Sequence, residues 1–258
     1  MADSKSNTSL AMSPWINCPK PNPKAKLRLF CFPYAGGTAL IYQKWPDILP
    51  SSIELCAVQL PGRGARHAER PFARLEPLVE AAAANLLPYM DKPFALFGHS
   101  VGAIISFELA RHLRRKHELE PAHLLVSGRR APHVPDTEPT TYDLPEPEFI
   151  EKLRQLNGTP REVIEHTELM QLMLPLLRAD FAVSETYSYY EEPPLGCPIS
   201  AYGGLQDHEA PRENLEAWRA HTNAAFVLRM LPGDHFFINQ SQSHLTWAVA
   251  RELAGAIA

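Results

Sequence analysis

The sequence predicts an α/β protein with a mostly parallel, doubly wound sheet, and three observations lead there. Short, mostly continuous apolar runs recur at 27–32, 53–60, 94–97, 123–127, 199–202 and 226–231; runs of that kind and length suit strands covered on both faces. Helix-period segments separate most of them, and strands alternating with helices give parallel sheets. Finally, 258 residues with 45% hydrophobic content are enough to bury one sizeable core.

Taken in order, residues 1–25 carry Pro14, Pro19, Pro21 and Pro23 among polar side chains and are expected to be a flexible leader, with 26–258 forming the folded domain. The strand 27–32 runs into Pro33-Tyr34-Ala35-Gly36-Gly37, and the strand 53–60 into a turn with Gly62 and Gly64. A helix is expected over 75–90. Another follows the strand 94–97, where Val101, Ile105, Leu109 and Leu113 recur every fourth residue through 117 and so share one face. After the strand 123–127 the alternation stops for about seventy residues. An inserted helical subdomain at about 132–195 accounts for the gap: Pro132, Pro135, Pro139, Pro145 and Pro147 open it, Phe149, Leu153 and Leu156 mark one amphipathic helix, and Leu169, Met170, Met173, Leu174, Leu176 and Leu177 form an apolar stretch divided by Pro175. A helix apolar on more than one side must bury against something. Either it packs on the helices of the sheet, or it is a lid lining a channel for an apolar substrate, with Leu174, Leu177, Phe181 and Phe236 as candidate lining. The strands 199–202 and 226–231 follow, and Leu245, Val249, Leu253 and Ile257 close the chain in helical spacing.

Composition removes several function classes. A formal net charge of −4 gives no basic surplus for nucleic acid. Cys18, Cys31, Cys56 and Cys197 include no C-x-x-C pair, so buried reduced thiols are expected rather than a metal or redox site. Neither a signal-like leader nor about 18 consecutive apolar residues is present, and a cytoplasmic protein without a membrane span is expected.

Chemistry concentrates at Gly98-His99-Ser100-Val101-Gly102. A strand before it and a helix after it are the context of a nucleophile elbow, in which flanking glycines leave room for a strained serine. Ser100 is the candidate nucleophile. A serine hydroxyl needs a base to take its proton, and that base a carboxylate to orient it. His235 follows the last strand through Pro232-Gly233-Asp234, and Asp207 follows the strand 199–202 and Gly203-Gly204. Both sit beyond carboxyl ends of strands, where ligands bind in open α/β sheets. Asp234 is the rival acid, but as the direct neighbour of His235 it is expected to diverge from it. Ser, Asp, His is the chain order of α/β-hydrolases. For the oxyanion, one donor is expected to be the N–H of Val101 and the other that of Tyr34, with Ala35 as the alternative.

Phe32-Pro33-Tyr34-Ala35-Gly36-Gly37, Leu60-Pro61-Gly62-Arg63-Gly64, Phe97-Gly98-His99-Ser100-Val101-Gly102, Leu174-Pro175-Leu176-Leu177-Arg178-Ala179-Asp180 and Gly233-Asp234-His235-Phe236-Phe237 together resemble the type II thioesterases that accompany nonribosomal peptide and polyketide synthases. The likeness spans about residues 25 to 255. It implies an α/β-hydrolase fold with a helical lid, the triad Ser100, Asp207 and His235, no metal or organic cofactor, and hydrolysis of acyl groups from the phosphopantetheine arm of carrier proteins. The partner is then an acidic carrier protein and the enzyme a monomer. Arg63, Arg66 and Arg70, with Arg74, follow the second predicted strand, and Arg129 and Arg130 the fourth; on the face where the arm arrives, such a cluster would steer an acidic partner. A small-molecule esterase or lactonase of the same fold, a product-releasing thioesterase domain and a non-catalytic binding relative are the alternatives; the lack of an attached carrier domain speaks against the second.

Overall fold

A computed structural model describes residues 13–256 except 137, 157, 159 and 160. Seven strands, β1 (Ile16–Asn17), β2 (Leu27–Phe32), β3 (Ile53–Val58), β4 (Phe94–His99), β5 (His123–Ser127), β6 (Ile199–Gly204) and β7 (Phe226–Leu231), form one sheet in the order β1-β3-β2-β4-β5-β6-β7. All neighbours are parallel except β1, which runs antiparallel to β3. The chain starts near one edge, crosses to the centre and winds outward, so the carboxyl ends of β2, β4, β6 and β7 share one rim.

Both faces of the central strands are covered, and for that reason those strands read as mostly apolar runs. Phe30, Phe32, Cys56, Val58, Phe94, Leu96, Leu124 and Val126 face one core. Leu29, Cys31, Leu55, Ala57, Ala95, Phe97 and Leu125 alternate onto the other, as the period-2 geometry of a strand requires. On the first face lie α1 (Leu75–Leu86) and α2 (Val101–His117). The second is closed by Tyr42, Trp45 and the C-terminal side chains Phe237, Ile238, Leu245, Val249 and Leu253. α1 stops four residues short of the expected 90 because Pro88 has no N–H to continue the ladder; residues Leu87–Tyr89 tighten into a 3-10 turn.

Between β5 and β6 the described residues form α3 (Glu146–Leu156), α4 (Arg161–Glu165) and α5 (Thr167–Glu185). Phe149, Leu153, Met170, Leu174 and Leu177 make a small core of their own there. The expected break at Pro175 does not occur: α5 runs through it for 19 residues. An interior proline costs a helix about 3 kcal/mol. Burial of Leu174, Leu176 and Leu177 beside it, at roughly 1.5–3 kcal/mol per side chain, offsets that. Short α6 (Arg212–Glu216) follows β6, and α7 (Phe237–Gln240) and α8 (Gln242–Leu253) follow β7.

The leader expected to be loose is not so over its described part. Residues 1–12 lie outside the described residues, but Trp15 and Ile16 are buried and β1 adds an edge to the sheet. A two-residue strand is too short to show any periodicity, and the prolines around it conceal the anchor. All four cysteines are free thiols, three of them buried. Among the described residues no helix is long and apolar enough to cross a membrane.

Candidate active site

Ser100 occupies the single residue between β4 and α2 with φ 56° and ψ −120°, a conformation that strains any residue with a Cβ. The flanking glycines follow from close approach. A Cβ on Gly98 would fall 2.0 Å from the Gly102 carbonyl oxygen, and one on Gly102 would fall 2.4 Å from that of Phe32. The Ser100 N–H donates to the Ser127 carbonyl at 2.8 Å, which ties the turn to β5.

The same rim carries the other two candidates. The β6 turn delivers Asp207 and the β7 turn His235, and His235 Nδ1 stands 3.0 Å from Asp207 Oδ2. The Asp207 side chain is fully buried. Burial alone would raise its pKa; the hydrogen bond from His235, its nearby charge and the N–H groups of Glu209 and Ala210 outweigh that and hold it below the usual value. The group is therefore a carboxylate, which only accepts. His235 carries its proton on Nδ1 and leaves Nε2 free to take another. Asp234 turns away as expected: its carboxylate accepts from the Phe236 N–H at 2.8 Å and from the Gln240 amide at 3.2 Å.

His99 also points elsewhere, into the protein, where it joins the elbow to the histidine loop. Its Nε2 lies 2.9 Å from the His235 carbonyl and its Nδ1 2.9 Å from Ser127 Oγ. A carbonyl only accepts, so Nε2 bears the hydrogen and Nδ1 accepts from the serine. Burial, followed by the charge of His235, pushes its pKa down to about 3, which keeps the imidazole neutral.

Ser100 and His235 line a cavity of about 290 Å³ together with Tyr34, Ala35 and Val101. Val101 opens α2 and has no intrahelical acceptor for its N–H; neither Tyr34 nor Ala35 donates its N–H to another described residue. Three candidate oxyanion donors thus border the space beside Ser100. Leu177, Phe181 and Phe236 also line it, but Leu174 does not. It packs with Phe149, Leu153 and Met170 in the lid core that Leu177 also joins; the two leucines share one face of α5, and Leu177 is the one that also reaches the Gly36 loop. Thr140, Thr141, Lys152 and Glu209 add polar wall, so the cavity is less apolar than the sequence suggested.

The arginine cluster is corrected more sharply. Arg63 is 4% exposed and Arg66 7%, and neither is free to meet a partner. Arg66 pairs with Glu69, donates to the Gln59 carbonyl at 2.8 Å and lies 4.5 Å over the Trp15 ring. Arg63 forms a bidentate pair with Asp180 at 2.7 and 2.8 Å. Arg129 donates to Ser184 Oγ at 2.8 Å and Arg130 pairs with Asp136 at 2.8 Å, both in the cavity wall. Arg70 and Arg74 remain exposed. A Gly-rich turn with two of its guanidinium groups folded inward cannot be told from a solvated one by sequence spacing.

Asp180 is the buried side chain at this site whose partners the sequence does not disclose. Besides gripping Arg63 it accepts the Gly36 N–H at 2.7 Å, so α5 of the lid is bound to the loop that presents Tyr34 and Ala35. A carboxylate four residues beyond Leu176 on the apolar stripe of α5 was the available signal. Replacing Asp180 with alanine is expected to cost about 3–5 kcal/mol in urea unfolding, because it strands a buried guanidinium. The double variant Arg63→Met with Asp180→Leu should recover most of that loss; equal losses in the single and double variants would mean that the pair is not what holds the lid down.

A family model described as "Thioesterase domain" matches residues 27–255. The chain belongs to the thioesterase family. This thioesterase is 47% identical, over 92% of its own length and 92% of the relative's, to a protein of Brevibacillus parabrevis named linear gramicidin dehydrogenase LgrE. The name of that relative denotes a redox activity, whereas the family model matched by this chain is that of a thioesterase domain. Among solved structures it superposes with TM-score 0.84 on the RedJ thioesterase of the prodiginine biosynthetic pathway of Streptomyces coelicolor, at 40% identity over 90% of its chain and 88% of RedJ. It superposes equally, with TM-score 0.84 at 30% identity over 95% of its chain and all of the other, on YbtT, a type II thioesterase from the yersiniabactin NRPS/PKS pathway. The thioesterase therefore has the α/β-hydrolase fold and hydrolyses thioesters.

Proposed function

We propose that the protein is a type II, editing thioesterase that removes acyl groups from the phosphopantetheine arm of carrier proteins in nonribosomal peptide or polyketide biosynthesis. The observation that carries this reading is the shared cavity of Ser100 and His235, with His235 held by the buried Asp207 carboxylate. In the reaction His235 Nε2 takes the Ser100 proton as Oγ attacks the thioester carbonyl. The N–H of Val101 and that of Tyr34 or Ala35 receive the oxyanion, preorganised donors being the largest single contribution to such catalysis. The pantetheine thiol then leaves with the proton from His235. Water, deprotonated by the same imidazole, attacks the acyl-serine ester and restores the enzyme.

The arm reaches Ser100 between the rim of the sheet and the helical insertion, past Leu177, Phe181 and Phe236. The carrier is acidic and meets the exposed Arg70 and Arg74; the enzyme works as a cytoplasmic monomer of one hydrolase domain and its lid. A rate panel tests the reading. The protein is offered one acyl group on a carrier protein, on free pantetheine and as a p-nitrophenyl ester, and kcat/KM is expected to fall in that order, by at least about tenfold from first to last. A preference for the p-nitrophenyl ester over both thioesters would assign a small-molecule esterase instead.

A further inference from the structure

Cys18 and Cys56 stand apart from the reaction and have no part in it. The register of β1 on β3 pairs Ile16 with Val58 and Asn17 with Ala57, so one further step sets Cys18 directly opposite Cys56. Opposed residues in an antiparallel ladder alternate between hydrogen-bonded and open pairs. The Gln59 N–H donates to the Trp15 carbonyl at 2.8 Å, which makes the Trp15 and Gln59 pair a bonded one. Counting on, Ile16 with Val58 is open, Asn17 with Ala57 bonded and Cys18 with Cys56 open. Open pairs have Cα atoms about 4.5 Å apart, within the roughly 4.4–6.8 Å that a disulfide spans. Both side chains lie on the same side of the sheet, in the core under α1 and α2, and the two sulfur atoms are 2.8 Å apart. Cys31 cannot compete for Cys56, since it faces the opposite core. Cys18 is half-buried and Cys56 buried.

We propose that Cys18 and Cys56 are an oxidation site, forming a cross-strand disulfide that latches the edge strand β1 onto β3 when the protein meets a small disulfide such as oxidised glutathione. The Cys18 thiolate attacks the small disulfide, giving a mixed disulfide and releasing one thiol. The Cys56 thiolate then attacks the Cys18 sulfur and expels the second thiol. Two cysteines lose two electrons and two protons, and one small disulfide is reduced to two thiols. Cys18 is the attacking group because it is reachable, whereas the Cys18 contact and burial push the Cys56 thiol up and disfavour its thiolate. The closed loop joins positions 38 apart, long enough for the link to restrict the unfolded chain substantially.

The test equilibrates the full chain with oxidised glutathione, quenches with an alkylating agent, and counts thiols after denaturation. Four free thiols should fall to two, peptide mapping should link 18 to 56, and Tm should rise by roughly 5–10 °C and return on reduction. Cys18→Ser should show no Tm response to the oxidant, while its reduced form unfolds within about 2 °C of the reduced wild-type protein. Four thiols persisting after oxidation, arrest at a glutathione adduct on Cys18, or a link that involves Cys31 or Cys197 would each overturn the proposal.

Discussion

Replacing Ser100 with alanine is expected to lower the turnover of an acyl-pantetheine thioester by about 10⁴-fold or more, while the unfolding free energy stays within about 1 kcal/mol of wild type. The two expectations separate because the hydroxyl does nothing for the fold. It makes no capping bond at the start of α2, and alanine keeps the same strained Cβ at φ 56° and ψ −120°. Ser100→Gly sharpens the point. Glycine enters that region without a steric penalty, so this variant should be inactive and also more stable, by about 1 kcal/mol. Covalent labelling by a fluorophosphonate should be lost in both. A Ser100→Ala protein that keeps even a tenth of the wild-type rate would remove Ser100 from the reaction.

Asparagine at the two neighbouring acids should have very different consequences. Asp207→Asn is expected to cut kcat by about 10³–10⁴-fold. An amide at that position can turn its NH₂ toward His235 Nδ1, which then accepts, and the ring proton moves to Nε2 where the Ser100 proton has to go. Asp234→Asn should change kcat less than about threefold, since the Asp234 oxygens serve the Phe236 N–H and the Gln240 amide and do not touch the imidazole. The pair is informative because the residues are both acids beyond carboxyl ends of strands and differ only in what they face. Should Asp234→Asn prove the more damaging of the two, the carboxylate supporting His235 would have been misidentified.

How much of this was legible beforehand depended on whether the signal was local. The bounds of β2, β5, β7 and α2 coincide with those read from the chain, because an apolar run or a four-residue repeat is written in adjacent positions. The elbow was legible for a related reason: a serine between two glycines at a strand-helix junction is a local steric requirement. Asp207 and His235 could be named because each follows a strand by a short turn, and parallel topology then carries both to one rim. β1 escaped notice, since two residues generate no period. The fate of Arg63 did too: its partner Asp180 lies 117 positions away, and nothing in the spacing of the turn distinguishes a guanidinium that is buried and paired from one that is solvated.

By itself, then, the sequence determined the α/β alternation, the strained turn at Ser100 and the order in which an alcohol, a carboxylate and an imidazole reach the sheet, because sterics and periodicity act between near neighbours. Only the tertiary structure decided that Asp207 rather than Asp234 bonds His235, that of the two lid-core leucines Leu177 and not Leu174 borders the cavity, and that Arg63 and Asp180 bind the lid to the Gly36 loop. Those outcomes depend on burial and on partners distant along the chain. A charged side chain is taken out of water only where a second chain segment supplies its counter-charge, and no local pattern records where that segment will be.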